Sequence, residues 1–142
     1  MPSQKYHADV TWTGGHRGEV RLGNGPMLSF SAPPDAHGLS GVLTPEDAFV
    51  AAANACVMLM FLWACERFKI DLASYECRGE GTKKIELDRT EQFTDVVLRP
   101  RIVVRGGDRR RIDRALQSAV KYSLIANSIK SQLTVEPTVV IE

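Results

Sequence analysis

The chain has 142 residues, a length that suits one domain with its own core. Apolar residues make up 44% and charged residues 25%, and a net charge of +1 gives no electrostatic footprint for nucleic acid or an anionic membrane surface. Three cysteines, Cys56, Cys65 and Cys77, form an odd set without CxxC spacing, so neither a disulfide framework nor a zinc site is expected.

The first ten residues, MPSQKYHADV, lack the apolar core of a secretion signal, so the expected location is cytoplasmic, with thiols reduced at rest. Tyr6 to Thr13 reads as a strand, and Gly14-Gly15 as a turn. EVRLG and MLSFSA are two further short strands around Gly23-Asn24-Gly25, and Ala32 to Leu43 is a loop rich in Pro and Gly.

Thr44-Pro45-Glu46-Asp47 is a helix start. Thr44 can cap, Pro45 suits the first helical position, and the two acids favour the positive end of the helix dipole. The helix is expected to run to about Lys69. Ala48 to Cys65 is an 18-residue stretch with Asn54 as its one polar residue, at the lower limit for a membrane span. Four alanines among its first six residues, charges at both ends and no second apolar segment favour a core helix. A helix apolar all round needs cover on every side, which points to a dimer enclosing it. Phe49, Met58, Met60, Phe61 and Trp63 are core residues in this reading, some of them able to line an apolar pocket.

SYECRGEGTKKIEL and QFTDVVLRPRIVVRG are long strands expected to form a hairpin. Asp108 caps a second helix predicted to continue to Lys130. Its face of Ile112, Ala115, Leu116, Ala119, Val120, Ser123, Ala126 and Asn127 turns Ser123 inward, toward the Cys56 helix. QLTVEPTVVIE closes the chain as one strand. The expected architecture is a single α+β domain over residues 1–142, in the order βββ-α-ββ-α-β. His7, His16 and His37 have no metal-ligand spacing, and Arg109, Arg110, Arg111 and Arg114 read as a solvated face.

TPEDAFVAAANAC resembles the P-E-x-(L/A)-x-x-A-A-x-x-A-C signature of the OsmC/Ohr family of organic hydroperoxide reductases. WTGGHRG resembles the family's N-terminal hairpin, FTDVVLRPRIVVRGGD its strand leading into the second helix, and SLIANSIKSQLTVEP its C-terminal block. The resemblance implies an intertwined homodimer, with two central helices wrapped by antiparallel sheets and active sites at the interface. It implies a two-cysteine peroxidase, and no cofactor, metal, nucleic-acid or membrane partner is expected for the chain. The first thiolate attacks a peroxide, and a second cysteine condenses with the sulfenic acid. A dithiol then reduces the disulfide. Carried over, the attacking thiol is Cys56, the family Glu is Glu46, and the family Arg is Arg17, with Arg21 as a rival.

A thiol in apolar surroundings is inert unless a cation favours its thiolate, and a glutamate can orient that cation. Glu46 equally suits a helix start, and Arg17 a solvated hairpin. Glu46 and Cys56 are separated by roughly 15 Å in a straight helix, so either the helix bends or two subunits build each site.

The family's second cysteine falls on Ser123, four residues before Asn127. Ser123 cannot form a disulfide, and its expected role is packing, with a hydrogen bond back to the carbonyl four residues earlier. Cys65 lies on the opposite helix face from Cys56, roughly 13 Å further on. Three outcomes stay open. An external dithiol or low-molecular-weight thiol reduces Cys56, or Cys65 or Cys77 resolves it after rearrangement or across the dimer, or the chain is a non-enzymatic protein that binds or senses a small apolar ligand.

Overall fold

The computed structural model describes all 142 residues as an α+β fold. The chain forms two compact units, Met1–Phe49 and Val50–Glu142.

In the first unit, β1 (Ala8–Gly14), β2 (Arg17–Leu22) and β3 (Met27–Ser31) form an antiparallel meander. Gly14 and Gly15 supply the positive φ angles, 118° and 53°, of the β1–β2 turn. Trp12 Nε1 closes that turn by donating to the Gly15 carbonyl at 2.9 Å. Gly18 lies opposite Trp12 and Phe30, and an added Cβ would stand 2.7 Å from the Thr11 carbonyl oxygen. The expected loop between Ala32 and Leu43 holds one short 3-10 turn, Pro34–Ala36.

Helix α1 (Pro45–Phe68) begins as the sequence suggests. Thr44 Oγ1 accepts from the Asp47 N–H at 3.0 Å and donates to Asp47 Oδ2 at 2.9 Å. The helix is unbroken over 24 residues. By length and composition it could cross a membrane, with a mean hydropathy of 2.0 over its most apolar window. Only 28% of that window is buried within the chain, and Ala51, Ala52, Ala55, Leu59 and Trp63 are exposed.

In the second unit, β4 (Leu72–Ile85) and β5 (Glu91–Val104) form the expected long hairpin. The inward row of β4, Tyr75, Cys77, Gly79 and Gly81, lies opposite Ile102, Pro100, Leu98 and Val96. Beneath it sit Ala53, Val57, Phe61, Ala64 and Cys65 of α1, and Ile112, Ala115, Leu116 and Ala119 of the next helix, all buried. Two glycines let α1 approach the strand. A Cβ on Gly79 would stand 3.0 Å from Asn54 Nδ2, and one on Gly81 2.8 Å from Val50 Cγ2. Into this gap Asn54 Nδ2 donates to the Cys77 carbonyl at 3.1 Å.

The structure revises three details. The second helix is not continuous to Lys130: α2 (Arg109–Tyr122) stops at Ser123, which has φ −71° and ψ 117°, and a short α3 (Leu124–Ser128) follows. The closing strand is two, β6 (Gln132–Val135) and β7 (Thr138–Ile141), split at Glu136-Pro137. Both pair parallel with β5, so this sheet is mixed rather than antiparallel. Pro100 falls in the gap between their registers.

The glycine contacts give a first expectation. Gly81→Ala drives a methyl into Val50 and the Phe93 ring. It should lower stability by about 1–3 kcal/mol in urea denaturation. A loss below about 0.5 kcal/mol, the range of indifferent surface changes, would mean that α1 is not seated this closely on β4.

Candidate functional site

Cys56 sits three turns into α1, half-buried and unpaired. The buried side of α1 faces β4, and Ala51, Ala52, Ala55, Leu59 and Trp63 are exposed on the other. At 100° per residue, Cys56 stands about 200° round the helix from Asn54. The thiol is therefore on the shoulder of the exposed apolar face, away from the strand. Met60, Trp63 and Arg67 continue the same stripe toward the helix C-terminus.

The first unit holds the other two residues assigned by resemblance. Arg17 opens β2, is exposed, and lines a cavity of about 410 Å³ with Thr13, Gly18, Ser29, Phe30, Leu39 and Val42. Its cross-strand neighbour on β3 is Ser31, whereas the rival Arg21 stands opposite Asp9. Glu46 lies in the first turn of α1, half-buried. Neither Arg17 nor Glu46 joins any ion pair of the chain. Arg17 thus carries a cation with no acid facing it across the sheet, and Arg21 does not.

The remaining thiols have other surroundings. Cys65 is 4% exposed, and burial, with Glu66 adding repulsion, pushes its thiol up to about 11. Cys77 points inward from β4, half-buried, and burial raises its pKa too. Its neighbour Tyr75 packs its ring 5.6 Å from that of Phe61, with a buried hydroxyl that has no hydrogen-bond partner. Burial, then the Cys77 thiol, raises the Tyr75 pKa. Because β4 lies against the Asn54 side of α1, Cys77 is on the far side of the helix from Cys56.

Ser123 is fully buried, as its place on the inward face suggests. Its hydroxyl does not bond back along α2. It caps α3, accepting from the Ala126 N–H at 3.2 Å, while the Ser123 N–H donates to the Val120 carbonyl at 3.3 Å. A serine prefers this cap role to a helix interior, which accounts for the break.

One feature escaped the sequence. The α1–α2 boundary opens into a cleft of about 640 Å³, lined by Met60, Trp63, Ala64, Glu66, Arg67, Ser118 and Tyr122. Arg67 Nη2 donates to Ser118 Oγ at 3.1 Å across it. Trp63, expected in the core, is 69% exposed, and Tyr122 on the other wall is 58% exposed. The Arg109 cluster is solvated as expected, with Arg109 paired to Asp113 at 2.9 Å.

The pattern of the OsmC-like protein family matches residues 38–138. The chain belongs to the OsmC-like family. No curated protein matches it in sequence. Among solved structures, the OsmC-like chain is similar to an OsmC-like protein of unknown function from Vibrio cholerae, with a TM-score of 0.87 at 24% identity over 96% of this chain and 100% of the other. An OsmC-like protein from Mycoplasma pneumoniae gives 0.85 at 13% identity, over 98% and 99%. An organic hydroperoxide resistance protein from Elizabethkingia anophelis gives 0.77 at 19% identity, over 99% of both chains.

The thiol environments of this OsmC-like chain predict an order of reactivity. With a pKa of about 11, roughly one Cys65 in a thousand is thiolate at pH 8. Timed iodoacetamide labelling with mass mapping should find Cys56 modified first and Cys65 only on unfolding. Cys65 holds its proton more tightly folded than unfolded, so its contribution to stability is lost as pH rises from about 9 to about 11. Early labelling of Cys65 would contradict its burial. Separately, Ser123→Ala removes the α3 cap and should cost about 1 kcal/mol, read by thermal denaturation.

Proposed function

We propose that this OsmC-like chain is a thiol-dependent peroxidase for organic hydroperoxides, with Cys56 as the attacking thiolate. The observation that carries the reading is Cys56 itself. It is the family-signature cysteine, unpaired, on the shoulder of an apolar helix face, while burial raises the pKa of the other two thiols. The likeness in fold to proteins named for organic hydroperoxide resistance supports the substrate class.

In this reading the Cys56 thiolate attacks the distal peroxide oxygen and the O–O bond breaks. The sulfur is oxidised to sulfenic acid, and the alkoxide leaves and takes a proton. Arg17 holds the thiolate and Glu46 orients its guanidinium, as the family resemblance assigns them. The apolar stripe beside Cys56 favours organic peroxides over hydrogen peroxide. Ser123 cannot supply a second sulfur, so an external thiol or dithiol completes the cycle. The working form is a cytoplasmic homodimer of one OsmC-like domain per chain. Its support is the uncovered apolar face of α1, formed by Ala51, Ala52, Ala55 and Leu59.

Single-turnover oxidation by cumene hydroperoxide tests this directly. The reduced protein should consume one equivalent, a sulfenic-acid trap should label Cys56, and Cys56→Ser should be silent. Arg17→Ala should slow the oxidation roughly 10- to 100-fold, the worth of one lost charge-assisted hydrogen bond. Oxidation no faster than that of a free thiol would sink the reading. The Ser123 departure would then favour a protein that binds a small apolar ligand without turnover.

A further inference from the structure

Helix α1 carries two thiols on opposite sides. Cys56 and Cys65 are nine residues apart, which at 100° per residue sets them about 180° round the helix. A rotation that turns one toward the sheet turns the other away. The seating of α1 therefore decides which sulfur is withdrawn. In the structure Cys65 is buried and Cys56 half-buried.

Apolar burial does not make that choice. The stripe against β4 is Ala53, Val57 and Phe61, all buried. At the same i, i+4, i+8 spacing on the other side stand Ala55, Leu59 and Trp63, all exposed. Each stripe offers a small, a branched and an aromatic side chain in the same order. The opposite rotation would thus remove at least as much apolar surface from water. Asn54 breaks the equivalence. It lies eleven residues before Cys65 and only about 20° from it round the helix, and its Nδ2 donates to the Cys77 carbonyl at 3.1 Å. The strand leaves room for it at Gly79, where an added Cβ would stand 3.0 Å from Nδ2 and 3.3 Å from Cγ. Turned the other way, the amide would lose that carbonyl and enter the apolar face that the proposed homodimer covers. The contact is made with this chain's own β4, so a second copy seated over Leu59 leaves it in place.

We propose that Asn54 is the positioning residue that makes Cys56, and not Cys65, the reactive sulfur of α1. Its amide, docked on the Cys77 carbonyl, fixes which of the two opposed thiols the helix turns away from the sheet. Two residues apart, Asn54 and Cys56 do not face each other, so Asn54 acts through the seating of the helix and not on the sulfur. The proposal rests on the peroxidase reading for the reaction that the chosen sulfur performs.

Two variants test it. Asn54→Asp keeps the shape and removes the donor, and Asn54→Leu removes the polarity. Circular dichroism and urea denaturation establish that each is folded. Timed iodoacetamide labelling with mass mapping then reads the ratio of Cys56 to Cys65 modification. Both variants should lower that ratio roughly tenfold or more, with Cys56 slowing while Cys65 speeds up. A merely structural role would speed both thiols together, through unfolding, and would not slow Cys56. Should Asn54→Leu fail to fold, Gly79→Ala, which crowds the carboxamide from the strand side, should move the ratio in the same direction. In single-turnover oxidation by cumene hydroperoxide, the sulfenic-acid label of Asn54→Asp should fall on Cys56 and rise on Cys65. An unchanged ratio in folded Asn54→Asp, or parallel acceleration of both thiols, would overturn the proposal and leave the peroxidase intact. Failure of the wild type to react with the peroxide would overturn the peroxidase reading alone, because the labelling ratio uses no peroxide.

Discussion

Asn54 donates its amide to the Cys77 carbonyl from within a stretch that is otherwise apolar. The rotation of α1 depends on that contact. A helix apolar on every face can bury any of them at similar gain, so hydrophobicity alone does not choose. An unsatisfied amide against a strand costs about 1–3 kcal/mol, enough to decide between rotations that burial leaves nearly equal. Gly79 makes the choice possible, because a side chain there would occupy the space of the Asn54 carboxamide. With Asn54 turned to β4, Cys65 goes inward, Leu59 goes outward, and Cys56 is left on the shoulder between them.

Ser123 shows how one substitution can change both structure and chemistry. As a cap it ends α2 and starts α3, in a buried position where its hydroxyl and both backbone groups have partners. The same exchange removes the only sulfur that the family pattern would place in the second helix. Within one chain neither remaining cysteine shares a face with Cys56. Cys65 is on the far face of α1 and Cys77 on the strand beyond it. In the peroxidase reading proposed above, recycling would then fall to a thiol from outside the chain.

Much of this was legible in the residues. The Thr44 cap, the β4–β5 hairpin, the Asp108 cap and the inward face of α2 follow from local rules of capping and alternation, and each is found. The break at Ser123 was not legible, because Ile112 to Asn127 keeps helical spacing straight through it and a hydroxyl can serve either a helix interior or a cap. The parallel pairing of β6 and β7 was equally hidden, since strand direction depends on where α2 and α3 return the chain. Trp63 was misread as core because an apolar sequence reports which residues are apolar, not whether a neighbour arrives to cover them.

The three thiols make the last point. They share one chemistry and differ in which way the backbone turns them. Burial, with repulsion from Glu66 added at Cys65, raises the pKa of Cys65 and Cys77, so these two thiols are withdrawn relative to their ordinary acidity. What distinguishes Cys56 is its face: it sits at the edge of the exposed apolar side of α1, while Cys77 points inward from β4 on the other side of that helix. In the peroxidase reading proposed above, that placement selects the sulfur before any cation is brought near it. In the same reading Arg17 would set the rate, and the rotation of α1, held by Asn54, the identity of the attacking sulfur.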